Sequence, residues 1–94
     1  MHEVTEEHLT RYQELTREAL LAARSAPILD EAAAKQIFDM VERYCSDAQY
    51  FRKQGDWPRA LAAVSYAHGW LDCGARLKVF SVSDNRLFTE DGED

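Results

Sequence analysis

Residues 47–77, DAQYFRKQGDWPRALAAVSYAHGWLDCGARL, constrain this chain more than any other stretch, because they spell a helix end, a tight corner and a second helix with almost no polar face. Gly55 can take the left-handed conformation that closes a helix and that other residues avoid. Asp56 is an N-cap, with Trp57 and Pro58 following in the first turn, where a missing backbone donor is harmless. A connection of about two residues forces the flanking helices to lie antiparallel as neighbours. The segment therefore encodes an αα-hairpin.

The hairpin's first arm begins near Leu29 or Asp30 and runs to about Gln54. Ala34, Ile37, Val41, Tyr44, Ala48 and Phe51 recur along it at alternating steps of three and four, the spacing that lays side chains on one helical face. Asp30 and Glu31 open this helix, and Arg52 and Lys53 close it, as the helix dipole favours. The second arm, about Trp57 to Val79, is apolar on two sides: Leu61, Val64, Ala67, Leu71 and Ala75 on one, Tyr66, Trp70, Cys73 and Leu77 on the other. Such a helix has to be covered from more than one direction. An earlier helix, about Glu6 to Ala26, is capped by Thr5 and stopped by Pro27, with a seam of Tyr12, Leu15, Ala19, Ala22 and Ala26. The expectation is an all-α, antiparallel three-helix bundle over residues 1–80, followed by an irregular acidic tail over 81–94 in which Leu87 and Phe88 dock back. The third helix is either central or faces a second copy of itself, so a homodimer is an open outcome.

Composition narrows the class. Apolar residues make up 46% of the 94, enough for one modest core without disulfides or metal. No stretch approaches the roughly 18 apolar residues of a membrane span, and the MHEVTEEH start lacks the basic and apolar pattern of a secretory signal. A cytoplasmic protein with no membrane association is expected. The formal charge is −6, but residues 84–94 hold five acids against one base, so the helical body is nearly neutral. A basic footprint for nucleic acid is missing, which disfavours that partner. Cys45 and Cys73 form no CxxC pair and read as small core hydrophobes, with no structural disulfide expected. Three lysines against eight arginines, with thirteen alanines and surplus acids, fit a protein from a salt-loving organism.

Several constellations could carry function, and each has a blander reading. His68, Asp72 and Arg76 stack at i, i+4 and i+8 and could act as acid, base and anion holder; an intrahelical chain in which Asp72 orients its neighbours explains them equally and is preferred. His68, Asp72 and Cys73 are too few for a transition metal, so neither a metal nor a cofactor is expected. Tyr44, Asp47, Tyr50 and Phe51 face the start of the third helix near Tyr66, where Tyr and Asp on adjacent helices would hydrogen-bond to set registry. Arg52, Lys53, Trp57 and Arg59 cluster at the hairpin tip, a basic patch beside an aromatic ring that could hold a phosphate, a base or an acidic peptide; solvated helix-end charges are the simpler account. Gly69 and Gly74 each cost about 1 kcal/mol against alanine inside a helix, so close helix approach is expected at both. No P-loop, HExxH, GxGxxG or serine elbow is present, and an enzyme is not expected.

Two resemblances follow. GDWPRALAAVSYAHGWL is similar to the second helix of a tetratricopeptide unit, but it occurs once, and a solenoid needs about three repeats. More specifically, the order AxxYxxDAxxFxxxGD then AxAxxSYAHGWLDxGxRL, carried by Tyr44, Asp47, Ala48, Phe51, Gly55, Asp56, Ala60, Ala62, Tyr66, Ala67, His68, Gly69, Trp70, Leu71, Asp72, Gly74 and Arg76, resembles the small-protein family catalogued as domain of unknown function 357. Cys73 replaces the alanine usual in that family. The resemblance implies an archaeal, cytoplasmic, all-helical domain and brings no activity with it. The functional expectation is a non-enzymatic protein-interaction or scaffolding module, with an unidentified protein or a second copy as partner. The alternative is a small anionic ligand, nucleotide or nucleic acid at the hairpin tip, through Arg52, Lys53, Trp57, Arg59 and Arg76.

Overall fold

Each helix starts at a cap its sequence provides. The computed structural model describes residues 4–88 and holds three helices, α1 (Glu6–Ser25), α2 (Glu31–Lys53) and α3 (Trp57–Arg76). The side chains of Thr5, Asp30 and Asp56 accept from the backbone N–H groups of His8, Ala33 and Arg59 in the respective first turns, satisfying donors that a helix start leaves without partners.

Both α2 and α3 end in the same way. Gly55, at φ 76°, donates to the Arg52 carbonyl, and Asp56 donates to the Phe51 carbonyl. Lys78, at φ 60°, donates to the Ala75 carbonyl, and Val79 donates to the Gly74 carbonyl. These are the paired bonds of the Schellman motif. The second ends α3 at Arg76, short of the expected Val79, because a lysine and not a glycine holds the left-handed position, where the sequence gives no stop signal. The chain then reverses. Val79 accepts from the backbone N–H groups of Leu29 and Asp30, and Ser81 donates to the Pro27 carbonyl, tying this exit to the α1–α2 connection.

Helix α3 is central, packing against both α2 and α1, while α1 and α2 touch each other least. The larger core lies among Ala19, Ala23, Ile37, Val41, Ala67 and Leu71, and is completed from beyond α3 by Val79, Phe80, Leu87 and Phe88. A smaller one near the hairpin holds Leu9, Ala48, Ala60, Ala63 and Val64, with Trp57 and Phe51 against it. Residues 81–88 thus form a strap across the bundle, without a fourth helix, and Leu87 and Phe88 do dock back. Glu90 to Asp94, the acidic end expected to be solvated, lies outside the described residues.

Three expectations about packing need correction. The buried line of α1 is Leu9, Thr16, Ala19 and Ala23, while Tyr12 is 40% exposed; the true stripe includes a polar residue, which an apolar-only reading skips. Of the two glycines, only Gly74 marks a close approach: a Cβ there would lie 2.5 Å from Phe80 Cζ and 3.0 Å from Ile37 Cδ1, whereas one on Gly69 would meet nothing within 4 Å. And α3 is not wrapped all round, for Tyr66 is 64% and Leu77 67% exposed, and Cys73 is exposed as well.

Candidate functional site

Of the histidine, aspartate and arginine stacked on α3, the fold brings two into one cleft. A hollow of about 330 Å³ opens between Tyr12 and Leu15 of α1, the Ser65, His68, Gly69 and Asp72 row of α3, and strap residues 85–88. The His68 imidazole is held from both sides: Nδ1 lies 2.9 Å from Thr16 Oγ1 and Nε2 lies 2.6 Å from the Leu87 carbonyl oxygen. A carbonyl can only accept, so Nε2 carries a proton; in the neutral ring Nδ1 then accepts from the Thr16 hydroxyl. Asp72 Oδ1 stands 4.0 Å from Nε2. Arg76, one turn further on, is exposed and lies outside the cleft.

This arrangement is a part-buried clamp. Thr16 is 1% exposed, and with both ring nitrogens engaged His68 links α1, α3 and the strap. A second link reinforces the strap. Arg86 donates through Nη1 and Nη2 to the two carboxylate oxygens of Glu18, at 3.2 and 2.7 Å, and that fork holds the Glu18 carboxyl below its ordinary range. Thr16 and Glu18 were not singled out in the sequence, and Leu87 was read as an apolar anchor and not as a partner of His68. The signal that could have found Thr16 is the heptad spacing of Leu9, Thr16 and Ala23.

At the hairpin tip the basic group is divided. Arg52 turns onto α1, donating to Gln13 Oε1 at 2.6 Å, Thr10 Oγ1 at 2.8 Å and Glu6 Oε2 at 3.1 Å. Arg59 pairs with Asp56 at 3.5 Å and lies 5.9 Å from the centre of the Phe51 ring. Trp57 packs half-buried beneath the turn, and Lys53 is exposed. The four side chains expected to converge there do not.

Along the other edge of α3, Tyr44 and Tyr66 stack at 5.4 Å between ring centres, and Tyr50 packs edge-on to Phe51. Registry between α2 and α3 is therefore set here by ring contact, while Asp47 is exposed. From Tyr66 the row continues through half-buried Trp70 to exposed Cys73 and Leu77. Cys45 and Cys73 are both free thiols; burial pushes the Cys45 thiol up, partly offset by Arg17. Among the described residues no group of three or more His, Cys, Asp or Glu could hold a metal ion, and no helix is long and apolar enough to cross a membrane.

The family model described as protein of unknown function DUF357 matches residues 11–80. The chain belongs to the DUF357 family. The match covers α1 from Arg11 onward, then α2, α3 and the reversal to Phe80, so His68, Asp72 and the Tyr44–Tyr66 stack fall within the DUF357 region. The strap residues Arg86, Leu87 and Phe88 fall beyond it. No curated protein and no solved structure matches the chain.

Proposed function

We propose that the protein is a non-enzymatic interaction module that receives a helix of a partner protein along the open edge of α3. The observation that carries this reading is the row Tyr66, Trp70, Cys73 and Leu77. Its steps of four, three and four are those of a helix-pairing seam, yet Tyr66 and Leu77 are each about two-thirds exposed. The wider exposed arc of α3 adds Ala62, Ser65 and Gly69, and the charged groups beside the row are Arg76 and the half-buried Asp72. Depletion of charge around aromatic residues is the composition of an interface centre. A catalytic reading has less support, since both nitrogens of His68 are occupied by Thr16 and Leu87.

The anionic-ligand alternative is left with Lys53 and Arg59 at the hairpin tip, because Arg52 is drawn onto α1. Free thiols at Cys45 and Cys73 suit a reducing compartment, which supports the cytoplasmic reading.

Size-exclusion chromatography with light scattering, combined with crosslinking in cell extract, tests the docking face. A Tyr66→Lys, Leu77→Lys double substitution should abolish whatever association the native protein shows, with its own partner helix or with a second copy, while leaving the far-UV circular dichroism unchanged. Association that survives the double substitution would reject this face.

A further inference from the structure

Helices α1 and α2 are tied to each other at two places and part between them. Arg24 pairs with Glu42 at one end, and Arg52 reaches Glu6, Thr10 and Gln13 at the other. Between the ties lies a trough of about 290 Å³, with Gln13, Arg17 and Leu20 on its α1 wall and Cys45, Ser46 and Gln49 on its α2 wall. Buried Ala48 and Val64 form the floor. The trough shares no lining residue with the open edge of α3 or with the His68 cleft, so it stands apart from the interaction reading. Three features of it point to a ligand. The first is charge. Arg17 makes no hydrogen bond or ion pair with any described residue, whereas Glu42 is held by Arg24 and only Glu14 adds an acid, at the outer end beside Thr10 and Arg52. The Arg17 charge is felt inside the trough, where burial raises the Cys45 thiol and Arg17 partly offsets it. The second is an excess of donors. Gln13 Oε1 accepts from Arg52 Nη1 at 2.6 Å; arginine can only donate, so the amide orientation is fixed and its two N–H donors are what Gln13 has left to offer. The exposed Ser46 hydroxyl and Gln49 amide add donors on the facing wall. The third is shape. Gln13 to Leu20 is about 10 Å of helix, closed at both ends by the ties and apolar below, which suits a short hydrocarbon chain with one anionic end.

We infer that this trough binds a small aliphatic carboxylate, its charged end on the Arg17 guanidinium and its hydrocarbon chain along the floor of Ala48 and Val64. The planar guanidinium fork matches a carboxylate in geometry as well as charge. The net charge of −6 opposes an anion at long range, but screening over about 8 Å at physiological salt leaves the local guanidinium dominant.

Titration of the full chain with sodium hexanoate, followed by amide shifts in two-dimensional NMR at physiological ionic strength, tests the inference. Saturable shifts at Arg17, Cys45, Ser46 and Gln49 are expected, with hexylammonium and 1-hexanol binding far more weakly. Arg17→Gln should weaken hexanoate binding about tenfold, as loss of a charged donor does, and should leave the far-UV circular dichroism unchanged, since Arg17 is exposed. Arg43→Gln, the same charge change at an exposed position of α2 outside the trough, should leave affinity within about twofold. The two free thiols give a second readout: hexanoate should slow alkylation of Cys45 by iodoacetamide and leave exposed Cys73 unaffected. Absence of saturable shifts, equal losses in the Arg17 and Arg43 variants, equal binding of hexylammonium or 1-hexanol, or saturation without protection of Cys45 would each overturn the site.

Discussion

Gly69 and Gly74 sit within about two turns of each other on α3 and have opposite surroundings, which makes them a matched pair. At Gly74 a methyl group would collide with Phe80, a fully buried ring, and press on Ile37. Gly74→Ala gains helix propensity, yet overpacking should dominate and lower stability by about 1–3 kcal/mol. Gly69→Ala meets open space and should raise stability by about 0.5–1 kcal/mol. Urea unfolding followed by circular dichroism separates the two signs. Thr16 makes a different point: it is the one polar residue among the buried side chains described, and it is there because its hydroxyl faces His68 Nδ1 at 2.9 Å. Thr16→Val keeps the shape and strands that nitrogen, at a cost of about 1–3 kcal/mol in the same urea assay.

At the scale of elements, the strap is the piece whose loss should matter most. Leu87 and Phe88 are 4% and 2% exposed, and Phe88 packs 6.3 Å from Phe80 between ring centres. Phe88→Ala should cost about 3–5 kcal/mol, read as a large drop in melting temperature, whereas polar changes at exposed Ser83 should not register. The Glu18–Arg86 fork adds a pH dependence. Because Arg86 depresses the Glu18 pKa in the folded state, the contribution is fully present above the unfolded value of about 4.3 and is lost as pH falls through the lower folded value. Both groups are at the surface, so the effect is local and screened by salt. The Leu87 and Phe88 amides, which donate to the Asp84 carbonyl, should lose hydrogen-exchange protection as pH falls below the ordinary glutamate range, and Glu18→Gln should flatten that part of the profile. Unchanged protection in both proteins would show that apolar burial alone holds the strap.

For the molecule as a whole, a 94-residue chain has a net stability on the order of 5–14 kcal/mol, so the strap's two apolar anchors are a substantial part of it. The hairpin, the Thr5 and Asp56 N-caps, the Gly55 turn and the need of α3 for cover on more than one side could be read directly from residues, because caps and turns are local chemistry and an apolar circumference demands neighbours. The exit of α3 at Lys78 was not legible, since a lysine carries no preference for the left-handed backbone it adopts there, while Phe80 packs close against Gly74. Thr16 and Leu87 were invisible as partners of His68, being 52 and 19 positions away in a chain whose pattern reports faces but not who meets them. The hairpin-tip cluster dissolved for the same reason: neighbours in sequence at a helix end point outward in different directions, and Arg52 found its acceptors on α1. Periodicity thus determined which elements form and which apolar rows compete for burial, because both follow from the 3.6-residue repeat and from backbone groups needing partners. Only the tertiary structure decided which apolar row of α3 is covered and which stays open, because two rows of similar hydrophobicity compete for two neighbouring helices and a strap, and packing geometry selects between them.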